Sequence, residues 1–352
     1  MSHRPFFSIN IPVYNGEVYL EQALESCRYQ TFQDFEIVLV DDCSTDRTVA
    51  ISQEFQERLD QPLRILSHAV NKGELASRLT GYQASKGRYI VSLDHDDLLR
   101  KDCLEQIHNL VVETHADMVL YNFSEQADFE LACKDFPFTS SERIAKKDLL
   151  SWYYSQYGSA MWYKAFKREL APTVEECGEH YPTIFGDVLP TIVLFEKCQS
   201  PYYLGENLYF HRIYEESMFM SLTLAKRYQI RSYLNALLFE RLQAYPLEER
   251  NVYQQSLREV ALRNQVKLLK KGLRSSGSYT EKYLFLKQLG QSPYFQESVD
   301  YLDTLPIFHR YKKLVKLVAK HHYHLAIGYH WYARKIWKLR KQRCKKRFLE
   351  RF

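Results

Sequence analysis

No apolar stretch in the chain approaches the roughly 20 residues that a membrane-spanning helix needs. There is also no internal repeat and no low-complexity linker. Seven cysteines (Cys27, Cys43, Cys103, Cys133, Cys177, Cys198, Cys344) are odd in number, scattered, and without the paired spacing of a metal site. That argues against a disulfide scaffold and for free thiols in a reducing cytoplasm. The N-terminus runs at once into a strand-like segment, leaving no room for a secretory leader. Nothing matches a nucleic-acid-binding module. With 352 residues the chain has material for about two domains and a sizeable core.

What is present is concentrated at strand ends. Residues 89–97 read YIVSLDHDD: a β-branched and aromatic run that stops in three carboxylates among four residues, Asp94, Asp96 and Asp97 around His95. Open α/β sheets bind ligands just past the carboxyl ends of their strands. Acids this close repel one another unless a cation or donors compensate. Capping of a helix expected over about Leu98–His115 accounts for Asp97 alone. A second run, Phe35–Val40, ends in Asp41-Asp42, with Ser44 and Asp46 placed to cap a helix over Val49–Leu59. The first strand, Phe6–Val13, is interrupted by Pro12 and closed by Tyr14-Asn15-Gly16, and a helix with Tyr19, Leu20, Ala23, Leu24 and Cys27 on one face follows. Strand Leu63–Ser67, helix Glu74–Ser85 and strand Met118–Phe123 complete an alternation that predicts an α/β fold, a mostly parallel sheet flanked by helices.

IPVYNGEVYLEQALESCRYQTFQDFEIVLVDDCSTDRT followed by NKGELASRLTGYQASKGRYIVSLDHDD resembles the nucleotide-sugar half of a family 2 glycosyltransferase with the GT-A (Rossmann-like) fold, of the bacterial capsule or lipooligosaccharide type. The likeness covers about residues 5–125 closely and extends loosely to about 220. It implies inverting transfer of a sugar from a nucleoside diphosphate, usually UDP, with Mn²⁺ or Mg²⁺. By position it implies that Pro12, Val13 and Tyr14 line the nucleoside pocket and that Asp42 holds the base. Asn71 and Arg78 then contact the nucleotide, Asp94 meets the ribose, and Asp96 binds the metal. Leu79 departs from the family's Asn. The chemistry calls for such groups: a diphosphate leaving group accumulates charge that a hard cation on carboxylate oxygens neutralises.

Inversion also needs a general base. Ile184–Leu189 resembles the family's Gly-Glu-Asp stretch, with Asp187 in the Glu place and Val188 in the Asp place, so Asp187 is the candidate; capping a helix after Gly186 is its structural alternative. Glu175, Glu176 and Glu179 are fallback bases. Ser159–Arg168 resembles the family's Trp–Lys strand, making Trp162 and Tyr163 candidate acceptor contacts, since aromatic faces stack on sugar rings. Tyr209–Ser217 resembles its closing segment, with His211 and Arg212 candidates for the diphosphate or metal.

The net charge of +5 hides an asymmetry. His309–Phe352 carries 15 basic residues against Glu350 alone, and the rest of the chain is net −9. This basic, aromatic tail predicts docking on an anionic membrane surface, or a packed helical hairpin with a solvated basic face. Between about Leu222 and Leu305 the spacing predicts helices, one burying Leu234 and Leu238, another Val266 and Leu269.

The domain division expected is 1–220, catalytic, and 221–352, helical, with the tail over about 309–352. The expected function is transfer of a sugar from a UDP-sugar to a saccharide or lipid-linked acceptor in surface polysaccharide synthesis, peripheral on the inner face of the membrane, without nucleic acid and with self-association open. Two alternatives stand. A nucleotidyltransferase would want a glycine-rich triphosphate loop that Tyr14-Asn15-Gly16 does not supply, and a degenerate nucleotide-sugar binder would explain Val188.

Overall fold

The computed structural model describes residues 4–131, 136–138, 141–156, 159–177, 186–213, 223–299, 302–303, 309–333 and 335. Backbone packing separates Met1–Ser221 from Leu222–Phe352.

In the first unit, β1 (Phe7–Val13), β2 (Phe35–Asp41), β3 (Leu63–Ser67) and β4 (Tyr89–Ser92) pair in parallel in the order β3-β2-β1-β4. Every residue of β1, β2 and β4 is buried, as expected of strands covered on both faces; β3, at the edge, is not. Helices α1 (Leu20–Arg28), α2 (Thr48–Gln56) and α3 (Glu74–Ala84) make the crossovers. α1 buries Leu20, Ala23, Leu24 and Cys27, the face its spacing predicts. Pro12 does not interrupt β1. It lies past Asn10, the last residue to pair with β4, where the missing N–H costs no ladder bond on that side.

The second half of the sheet is mixed. β5 (Leu98–Leu99), β6 (Met118–Ser124), β7 (Glu142–Arg143), β8 (Lys164–Lys167) and β9 (Pro201–Phe210) extend it in the order β4-β8-β6-β9-β5, with β7 also on β9. β8 runs antiparallel between β4 and β6. The helix expected from Leu98 begins at Cys103 instead, as α4 (Cys103–Thr114). Leu98-Leu99 pairs antiparallel with Phe210-Tyr209, and that ladder outweighs leucine's helical preference. α5 (Lys146–Gln156), α6 (Val174–Cys177) and α7 (Val188–Lys197) complete the unit.

The second unit is helical: α8 (Leu224–Arg241), α9 (Leu247–Arg274), α10 (Tyr279–Gly290), α11 (Pro293–Val299), α12 (His309–Ala319) and a further helical turn sequence over 323–333. Its core includes Leu262, Val266, Leu269, Leu286, Leu289, Leu314, Val315 and Val318. The apolar stripe at the start of the basic tail is therefore spent on an internal core.

Candidate active site

Register places the acid-tipped ends together. Val13 pairs with Asp41 and Asn10 with Ser92, so Asp42 and Asp94 leave the sheet at one edge on either side of β1. Two strand spacings put their strands about 10 Å apart.

The β1–α1 and β2–α2 loops brace each other. The backbone N–H groups of Asn15, Gly16 and Glu17 donate to Ser44 Oγ, Thr48 Oγ1 and Asp46 Oδ2 at 2.9, 2.8 and 3.0 Å. Thr45 and Arg47 N–H return bonds to the side chains of Asn15 and Glu17. Ser44 and Asp46, read as helix caps, thus hold the neighbouring loop; the helix starts at Thr48, whose N–H and hydroxyl both donate to Asp46. Pro12 and Val13 are buried beside this edge and Tyr14 is exposed.

Asp42 is buried and its carboxylate gathers the β3–α3 loop. It accepts from Lys72 N–H at 2.9 Å and Gly73 N–H at 2.6 Å, and pairs with His68 Nδ1 at 2.7 Å. His68 Nε2 reaches Thr80 Oγ1 at 3.0 Å, tying the network to α3. Gly73 adopts φ 89°, ψ 164°, a conformation open essentially to glycine alone. Asn71 is exposed on this loop.

Arg78 is a buried hub. At 1% exposure its guanidinium meets Asp94 Oδ1 at 2.6 Å, Glu74 Oε1 at 2.6 Å and Asp187 Oδ1 at 3.2 Å. A solvated helix arginine is excluded, and the contacts made are to carboxylates. Asp187, from a segment 109 positions later, thereby joins Asp94. It occupies the N-cap position of α7 but makes no side-chain cap bond, so capping does not account for it. Its Oδ2 accepts from Met161 N–H at 3.2 Å, while Oδ1 has no aligned hydrogen-bond donor among the described residues. Burial raises the Asp187 carboxyl above the ordinary range, against the pull of Arg78. Burial also holds the Lys164 ammonium well below its usual value; this fully buried lysine donates to Ala160 O and lies over the Tyr163 ring.

Asp94, Asp96 and Asp97 each offer a carboxylate oxygen, all within 4.8 Å of one another. Burial pushes Asp94 up, opposed by Arg78; burial, then the charges of Asp94 and Asp96, push Asp97 well up. Mutually repelling hard oxygens are the donor set that suits a divalent cation. Asp97 caps no helix: it accepts from Tyr209 OH and Arg212 N–H, both at 2.7 Å. Arg212 Nε donates to Asp96 O at 2.7 Å and Nη2 to Gln22 Oε1 at 2.9 Å, with the guanidinium 4.4 Å from the Tyr19 ring centre. His95 lies against Gly16, where an added Cβ would come within 2.7 Å of it.

Trp162 and Tyr163 are packed inside, at 7% and 4% exposure. Trp162 stacks with Tyr209 and His211, at centroid distances of 4.6 and 5.0 Å. Trp162 backs Tyr209, whose hydroxyl holds Asp97, and Tyr163 packs among Phe123, Phe136 and Trp152, so both rings are packed in the core in this structure. Glu175 and Glu176 lie on α6, Glu176 paired with Lys197; Glu179 and the closing residues 214–217 lie outside the described residues. Sequence reasoning missed His68, Glu74, Lys164 and Tyr209. Of these, Glu74 carried a local signal, four residues before Arg78 on a helix, and Lys164 and Tyr209 stood unassigned within the two stretches that resemble family segments.

Comparison with known proteins agrees with this geometry. Residues 8–171 match the model of glycosyl transferase family 2. An uncharacterized glycosyltransferase of Haemophilus influenzae is 36% identical over 120 residues, 34% of this chain and 48% of that protein. At this identity the chain spans about half the length of the curated relatives it matches. The putative glycosyltransferase EpsH of Bacillus subtilis is 26% identical over 333 residues, covering 90% of this chain and 92% of its own. The structure of Staphylococcus aureus TarS 1-349 in complex with UDP-GlcNAc superposes with a TM-score of 0.69 at 20% identity, over 94% of this chain and 91% of that one. The fold is GT-A.

Proposed function

We propose, from the premise that residues 8–171 belong to glycosyl transferase family 2, that the protein is an inverting, metal-dependent glycosyltransferase. It moves a sugar from a UDP-linked donor to a saccharide or lipid-linked acceptor in surface polysaccharide synthesis. The observation that carries this is the Arg78 hub, which joins the candidate base Asp187 to Asp94 in the acidic cluster, beside the sheet edge where Asp42 orders its loop. A nucleotidyltransferase gains no support from the comparisons.

Each residue then has a task. Asp42, preorganised by His68 and two backbone amides, receives the base of the nucleotide. Asp94 meets the ribose, and Asp96 binds Mn²⁺ or Mg²⁺ with Asp94 and Asp97 beside it. When bound, such a cation neutralises the charge gathered by the departing diphosphate. Arg212 holds the Asp96 carbonyl and receives the Asp97 carboxylate on its backbone, keeping the loop in one shape. Asp187 takes the acceptor hydroxyl's proton; burial makes its carboxylate a stronger base than a solvated aspartate. Arg78 acts as a positioning residue between the two.

No helix among the described residues is long and apolar enough to cross a membrane. Work at the cytoplasmic membrane face is part of the proposal and is supported by the basic tail. The test is incubation with a panel of UDP-sugars and Mn²⁺, following slow release of UDP. Release from one UDP-sugar supports the reading. Tight UDP binding without release from any sugar would favour a degenerate binder, and no binding at all would reject both.

A further inference from the structure

The helical segment 323–333 has two apolar sides. Tyr323 and Ala326, three residues apart, are buried in the second unit's core. Leu325, Gly328, Trp331, Tyr332 and Lys335 recur every three or four positions and so share another face. On that face Leu325, Trp331 and Tyr332 are 61, 65 and 59% exposed, and a Cβ added at Gly328 would meet nothing within 4 Å. The Lys335 ammonium lies 5.3 Å from the Trp331 ring centre, so cation and aromatic are presented together. Internal packing explains the first side; on the second, His324 stacks on the Tyr279 and Tyr283 rings at the N-terminal end, and Leu325, Trp331 and Tyr332 are left facing outward.

We infer that this outer face is a docking surface for an anionic lipid bilayer. Trp and Tyr are side chains that settle at a membrane–water interface, with an apolar body and a polar tip. The charge identifies the sign of the partner: residues 309–352 carry 15 basic side chains and one acid, while the remainder of the chain is net negative. A second copy of this chain would set the same cationic segment against itself, and nucleic acid would not call for an exposed leucine beside the two rings. The face lies flat on headgroups and does not span. This deepens the reading above and rests on it for purpose, since a lipid-linked acceptor is reached from that surface; binding itself requires no turnover.

The test uses the full chain with vesicles of phosphatidylcholine alone and of phosphatidylcholine mixed with phosphatidylglycerol. Sedimentation should bring the protein down with the mixed vesicles only, and added salt should release it. The double substitution Trp331→Ser, Tyr332→Ser should weaken that binding about tenfold or more, as expected for removing two aromatic side chains from an apolar contact. UDP release in solution should stay unchanged. The inference is overturned if the native protein ignores anionic vesicles, if both vesicle types bind alike, or if the double variant binds as well as the native chain. A concentration-dependent dimer abolished by the same substitutions would assign the face to self-association and would also overturn it. Vesicle binding without turnover of any UDP-sugar would refute the enzymatic reading and leave this one standing.

Discussion

Substituting Arg78→Met isolates what the hub contributes, because methionine keeps much of the stem's packing and removes the charge. Arg78 is 1% exposed, Asp94 is 24% exposed, and Asp187 is 18% exposed, so two of its three partners are largely out of water. Glu74, at 36%, is screened and adds only a few tenths of a kcal/mol. Removing one member of a buried ion network costs about 3–5 kcal/mol, because the remaining charges lose their compensation. For a unit of this size that is a fall in Tm of roughly 6–20 °C. Trp152 and Trp162 are buried in the unit that holds Arg78, so the fluorescence change on heating includes a report from that unit. The deficit should depend on pH. Burial already raises Asp94 and Asp187 in the native protein, and losing Arg78 raises them further. The variant's native state then binds protons that its unfolded state has released, so its stability falls as pH climbs through the raised native values. Below the ordinary carboxylate range both states are protonated and the deficit shrinks. Melting with EDTA present, across acid to neutral pH, checks this. A loss below about 1 kcal/mol, or one constant across that range, would show that Arg78 does not compensate these carboxylates.

Asp187→Asn should cut transfer by about 10²–10⁴ while UDP still binds, measured by UDP release and calorimetry; full turnover would remove Asp187 as the base. Gly73→Ala forces a side chain onto φ 89° and should cost about 1–3 kcal/mol. The same change should weaken UDP binding, because Gly73 N–H helps hold Asp42; unchanged affinity would separate that loop from the nucleotide pocket. Arg212→Ala should weaken Mn²⁺ binding, read directly by electron paramagnetic resonance, with partial rescue by Arg212→Lys; equal affinity in all three proteins would mean that the acidic loop holds its shape without this clamp.

The first four parallel strands and the helices between them were legible because each is a local property. Runs such as Phe35–Val40 and Tyr89–Leu93 are continuous, β-branched and ended by acids, and buried parallel strands require that pattern whatever they pair with. The acidic edge was legible for the same reason. Leu98-Leu99 was not: two leucines after an aspartate are good helix-starting sequence, and only pairing with Phe210 and Tyr209, more than a hundred residues away, makes them a strand. The insertion of β8 between β4 and β6 is likewise invisible to a reading of consecutive elements.

What the chain determines by itself is therefore its strand and helix periodicity, its acid-tipped strand ends and its cationic C-terminal segment, since these depend on neighbours within a few turns. Tertiary structure alone decided that Arg78 faces Asp187, that Asp97 is held by Tyr209 and Arg212, and that Trp162 is buried support. It also decided which apolar residues of the tail are core and which face outward. Those are charge pairings and burials between segments far apart in the chain, and their energies arise only once folding has removed the water between them.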